Sequence, residues 1–168
     1  MKMKFALTVV ILMFASIAFG QTPATTLQTT DGKTVNLADS KAKVVVLSFG
    51  GTWVPLTSRE LPELQKLADR IVPRGAQVYW VSINSARPGG RNYIADADLQ
   101  AFAQKNNLRL PVLRDPEQKL YKEFALDGLP TLVILDQQGK VVRKHVGFGT
   151  EAGAAYGALI REIEQLLK

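Results

Sequence analysis

Two stretches of the chain are almost wholly apolar and rich in β-branched residues: residues 43–49 (KVVVLSF) and residues 77–83 (QVYWVSI). Short apolar runs bounded by glycine or polar residues read as strands covered on both faces. Between them Leu61, Leu64, Leu67, Ala68 and Ile71 recur at helical spacing, which predicts a helix over residues 59–72 with Pro62 kinking its start. Asp96-Ala97-Asp98 predicts the cap of a helix running to about Lys105. Residues 111–113 predict a short strand. Asp115-Pro116-Glu117 sets an N-cap acid, a first-turn proline and an acid in series, which predicts a helix to about Phe124. Residues 131–135 and 140–146 predict two strands joined by the turn Gln137-Gln138-Gly139. Gly147-Phe148-Gly149 breaks the pattern, and residues 152–167 predict a closing helix with Ile160, Ile163 and Leu167 on one face. Asp31-Gly32 marks a turn before an edge strand at about residues 33–36. The Thr-rich residues 21–30 read as a flexible lead-in. Strands alternating with helices and ending in a hairpin predict an α/β domain with a mixed sheet over residues 31–168.

The first twenty residues follow a different pattern. Lys2 and Lys4 precede the uncharged run FALTVVILMFASIAF, and Ala18-Phe19-Gly20 supplies small residues at a cleavage site. That is the pattern of a secretory signal peptide over residues 1–20, with Gln21 as the mature start. The rival is an uncleaved N-terminal anchor. The run falls short of the ~20 apolar residues a span needs, which favours cleavage and no membrane span. The expected location is the periplasm or another extracytoplasmic space.

Composition then narrows the chemistry. The chain of 168 residues has no cysteine, and its three methionines (Met1, Met3 and Met13) all lie in the leader. Residues 21–168 hold 19 basic and 15 acidic side chains, a net of +4, and no sulfur. A disulfide framework, a thiolate nucleophile, an Fe–S cluster and a thiolate zinc site are all excluded. The basic residues are scattered, which argues against nucleic acid as a partner. His145 is the single histidine, so an imidazole metal site is not expected, and it reads as a strand residue.

Two segments resemble a known family. Residues 44–64 (VVVLSFGGTWVPLTSRELPEL) and 127–141 (DGLPTLVILDQQGKV) are similar, in order and separation, to the extracytoplasmic thioredoxin-like proteins of the TlpA/ResA type, within the wider AhpC/TSA-related redoxin group. The resemblance implies a thioredoxin-like fold: a mixed central sheet flanked by helices, with an N-terminal edge strand and a central βα insert. It puts Trp53 in the tryptophan slot before the redox motif, Val54 and Thr57 in the two cysteine slots, and Pro55-Leu56 between them. It sets Ser48 where thioredoxins carry a buried acid, and Glu60 where related reductases keep a glutamate near the site. Leu129, Pro130 and Thr131 match the cis-proline loop.

The resemblance fails at the reactive atoms. Disulfide exchange needs a thiolate, and neither valine nor threonine supplies one. Without cysteine, no disulfide oxidoreductase or thiol peroxidase activity is expected, and no cofactor or metal is implied. The expected role is non-catalytic: a binding or assembly module whose groove, formed by Trp53, Thr57, Glu60, Leu129, Pro130 and Thr131, holds a segment of another exported protein. The alternatives are an oxidoreductase in ancestry alone, or an enzyme with non-sulfur chemistry at Thr57 and Glu60. Each residue also has a plain reading. Thr57 and Glu60 form a T-x-x-E capping box; with Ser58 and Arg59 the same helix start could instead hold an anion. Trp53 reads as a partner anchor or as rim packing. Arg87 and Arg91 read as an anion site or a solvated loop, and Asp96 and Asp98 as a cation site or helix caps.

Overall fold

The computed structural model describes residues 26–148 and 152–168, with backbone alone for 152–155. The leader expected over residues 1–20 lies outside the described residues. The elements run β1 (Thr26–Thr29), β2 (Thr34–Asn36), β3 (Val44–Gly50), α1 (Pro55–Ile71), β4 (Ala76–Ser82), α2 (Asp96–Lys105), β5 (Val112–Arg114), α3 (Lys119–Glu123), β6 (Thr131–Asp136), β7 (Val141–Val146) and α4 (Ala152–Leu166). Seven strands form one sheet in the order β2-β1-β5-β4-β3-β6-β7. β3, β4 and β5 are parallel, β6 and β7 form the antiparallel closing hairpin, and β1 lies antiparallel to β5. This is the mixed α/β sheet that the alternation implies.

Alternation along β3 assigns the two faces. Val44 and Val46 pack with Leu61, Leu64, Ile71, Tyr156, Leu159 and Ile163, under α1, α2 and α4. Val45, Leu47 and Phe49 pack with Val81, Leu113, Leu120, Phe124 and Val133, on the α3 side. Every residue of β3 is buried, which is why its sequence is a continuous run rather than an alternation.

Four expectations are corrected. Residues 26–29 of the expected flexible lead-in form strand β1, between β2 and β5. Leu27 and Thr29 point inward while Thr26 and Gln28 are exposed, so two inward side chains and the backbone ladder are enough. Helix α1 starts at Pro55, four residues before the expected start at residue 59. Proline fits a first helical position because its missing N–H is unpaired there anyway. Helix α3 starts at Lys119, not at Pro116. Asp115 still serves as its anchor, its carboxylate accepting from the amides of Lys119 at 2.8 Å and Tyr121 at 2.9 Å. The N-cap of α2 is Ala95, with no side-chain cap bond. Asp96 and Asp98 are therefore first-turn acids rather than caps, and Asp96 instead meets buried Arg114 at 3.2 Å.

Candidate functional site

The site lies at the carboxyl ends of the parallel strands, where three loops meet. β3 ends at Gly50, and the turn Gly51–Trp53 leads into α1. In the sheet register Phe49 faces Thr131 on β6, so the turn leaving β3 and the Leu129-Pro130 loop entering β6 are neighbours. On the other side Gly50 faces Ser82 on β4, and the amide of Ile83 donates to the carbonyl of Gly50 at 3.0 Å. The long loop after β4 is fastened to the same turn by one side chain. The Asn84 carboxamide accepts from the Thr52 amide at 3.0 Å, donates to the Thr52 hydroxyl at 2.8 Å and donates to the Asn92 carbonyl at 3.0 Å.

The rim is apolar and open. Trp53 is 40% exposed, Tyr93 of the insert loop 41% and Val146 of β7 56%. The Trp53 ring lies against Gly51, where a Cβ would come within 2.5 Å of it. Val146 packs over Gly128, one residue before Leu129. The Leu129-Pro130 peptide is cis, Leu129 is half-buried and Pro130 is buried. The Thr131 hydroxyl donates to the Gly128 carbonyl at 2.8 Å, which tightens the loop from below.

Behind the rim the polar residues are sealed. Thr57, Glu60 and Thr131 have no exposed surface. The T-x-x-E spacing is not a capping box. Val54 is the N-cap of α1 and makes no side-chain cap bond, so Thr57 and Glu60 both face inward, one turn apart on the buried stripe. Ser48 on β3 donates to Glu60 Oε1 at 2.9 Å, and the Tyr156 hydroxyl on α4 donates to the same oxygen at 3.1 Å. Burial pushes the Glu60 carboxyl up to about 7, against the pull of those two hydrogen bonds. Burial and the adjacent Glu60 carboxyl push the Tyr156 phenol far up.

Among the described residues, Glu60 Oε2, Thr57 Oγ1 and the indole nitrogen of Trp80 have no hydrogen-bond partner. A Cβ at Gly50 would sit 2.8 Å from that indole nitrogen and 3.1 Å from Thr57 Oγ1, so both groups border Gly50. An unpaired buried polar group costs about 1–3 kcal/mol. These costs gather behind the first turn of α1 and not elsewhere on that helix.

The sequence points to Trp53, Thr57, Glu60, Leu129, Pro130 and Thr131, and the structure gathers all six at this end of the sheet. It separates them by depth, with Trp53 and Leu129 reachable from outside. Sequence reasoning misses Tyr156, Asn84, Tyr93 and Val146. A hydrophobic stripe hides a tyrosine, and the contact of Tyr156 with Glu60 spans 96 positions. Among the described residues no cluster of three or more His, Asp or Glu is placed to hold a metal. No described helix is long and apolar enough to cross a membrane.

The family model for AhpC/TSA proteins matches residues 20–144. The chain belongs to the AhpC/TSA family. Its relatives include the thiol-disulfide oxidoreductase ResA of Halalkalibacterium halodurans, 25% identical over 142 residues, covering 84% of this chain and 72% of the relative. The thioredoxin-like protein YneN of Bacillus subtilis is 30% identical over 131 residues, covering 78% of this chain and 72% of the relative. Among solved structures, the exposed lipoprotein thioredoxin Etrx1 of Streptococcus pneumoniae superposes with a TM-score of 0.64 at 30% identity, covering 82% of this chain and 97% of that one. A Chlorobium tepidum protein assigned as thiol:disulfide interchange protein DsbE superposes with a TM-score of 0.70 at 26% identity, covering 85% and 92%. The chain is a thioredoxin-like protein of the TlpA/ResA type, and it carries no cysteine.

Proposed function

We propose that this is an exported, redox-silent thioredoxin-like module that grips an extended segment of another exported protein. The occupant lies between the Trp53 turn and the Leu129-Pro130 loop. One observation carries the reading: the turn that carries exposed Trp53 neighbours the Leu129-Pro130 loop and exposed Val146, in a chain with no cysteine. Large exposed aromatics around a concave backbone are the usual anchors of a partner chain. A strand-entry loop such as Leu129-Pro130 offers main-chain groups to an extended peptide. The names of the relatives point to thiol chemistry, but thiol–disulfide exchange proceeds by thiolate attack and this chain has no thiol. With Thr57 and Glu60 sealed from solvent, contact falls to the rim. The N-terminal Lys2, Lys4 and apolar run support export to an extracytoplasmic space.

The test is affinity capture from envelope extract with the wild type and with Trp53→Ala combined with Leu129→Asp. The expected result is one or more partners lost with the double variant, while its circular dichroism stays unchanged. Identical partner sets from the two proteins would overturn the groove.

A further inference from the structure

A continuous set of contacts joins the buried carboxyl of Glu60 to the wall of the groove. Tyr156 donates its hydroxyl to Glu60 Oε1 at 3.1 Å. The Tyr156 ring meets the Phe148 ring edge-on, with centroids 5.7 Å apart. Phe148 follows Gly147, whose amide donates to the Pro130 carbonyl at 2.8 Å. Three non-covalent contacts and one chain step thus connect α1, α4 and the loop that enters β6.

Glu60 has a reason to drive such a displacement. Ser48 faces it from β3 and Tyr156 from α4, while Thr57 shares its face of α1 and Trp80 of β4 reaches Gly50 beside it. The β6 residue opposite Ser48 is Leu132, and among the described residues no cation bears on the carboxyl. Glu63, on the same helix, bears on Tyr156 and pairs with Lys66 at 2.7 Å. An ionised Glu60 would leave Oε2 charged in a dry site without a donor, which is costly unless water enters. Glu60 on α1 and Tyr156 on α4 meet at that site.

We propose that Glu60 is a proton-operated control on the groove. With the carboxyl neutral, the α1–α4 seam is closed and Tyr156, Phe148 and Gly147 hold the Leu129-Pro130 wall in its gripping form. With the carboxyl ionised, the seam loosens, the wall shifts, and the occupant is released. The inference rests on the groove reading above, and the test separates the two.

The experiment is a pH titration by NMR of the backbone amides of Leu129 and Gly147, alongside the Glu60 carboxyl carbon. His145 lies on β7, two residues from Gly147, so every variant carries His145→Gln. The expected result is one midpoint shared by the carboxyl and both amides, lost in Glu60→Gln and reduced in Tyr156→Phe. A Glu60 carboxyl that titrates while the two amides stay flat would overturn the proposal. So would an inflection that persists in Glu60→Gln.

A fluorescein-labelled extended peptide bearing Leu and Phe probes the grip. Its affinity is expected to be about fivefold or more higher at about pH 5.5 than at about pH 8.5, and equal at both in Glu60→Gln. Equal affinity at both pH values in the parent would refute the control. No binding at either value would count against the groove, and the amide titration would still decide the control by itself.

Discussion

The two faces of the sheet are built from the same strands but not by the same rule. On the α3 side, Leu47, Phe49, Val81, Leu113, Val133 and Leu135 form an all-apolar core. Phe49 meets Tyr121 and Phe124 edge-on at 6.1 and 6.0 Å. On the α1–α4 side, the same strand β3 places Ser48 beside the carboxyl of Glu60, with Tyr156 closing from α4. One face gains stability from area and close packing. The other gives some of that up for a buried polar cluster that is incompletely paired. Both faces are buried, so the difference lies in chemistry and not in access. The polar cluster sits behind the turn that carries Trp53, while the apolar face supports it from the other side.

The largest effect expected from breaking this contrast is on the apolar side. Phe49→Ala should cost about 3–5 kcal/mol in urea unfolding, because a large ring leaves a site that cannot collapse around it. A loss near 1 kcal/mol would mean the α3 face is looser than its burial implies.

The polar side should respond to pH rather than to volume. The native Glu60 carboxyl is raised to about 7 from an ordinary 4.5. Below the ordinary value both folded and unfolded chains hold the proton, and the stability this group allows is fully present. Between the two values the unfolded chain gives up its proton first, so stability falls as pH rises. Above about 7 the loss is complete, on the order of a few kcal/mol. Measured against Glu60→Gln, the wild type should lose stability across that interval and then level off. Equal slopes for the two proteins would show that the carboxyl is not held neutral.

The smallest of the three effects tests the seam where the polar cluster meets the groove turn. Gly50→Ala would bring a methyl within 2.8 Å of the Trp80 indole nitrogen and 3.0 Å of Thr57 Cγ2. Overpacking there should cost about 1–3 kcal/mol, read as a shift in the thermal midpoint. A neutral result would mean that Trp80 and Thr57 have room to yield.

The contrast between the faces also explains what the sequence could and could not reveal. The run of β3 and the stripe Leu61, Leu64, Leu67 and Ile71 declare themselves because burial on both faces or on one face leaves a period in the chain. Strand β1 does not, since with Leu27 and Thr29 alone inward its four residues carry too little apolar signal. Thr57 and Glu60 are legible as a pair but ambiguous in role, because a spacing of three serves a cap and a buried stripe alike. The neighbours decide it: Val54 and Pro55 occupy the N-cap and first helical positions, which sends Thr57 and Glu60 inward. Once inward, Glu60 finds Ser48 on β3 and Tyr156 on α4, and no local pattern announces partners 12 and 96 positions away.

The direction of β1 has a practical result. Because it runs against β5 and β5 runs with β4 and β3, the Thr26 end of the strand opens at the same pole as Trp53. The last residues of α4 close at the opposite pole, where Lys43 beside the start of β3 donates to the Leu167 carbonyl at 3.1 Å. A fluorophore or tether fixed at Thr26 would sit at the pole that carries Trp53, whereas one fixed at Lys168 would sit at the opposite pole.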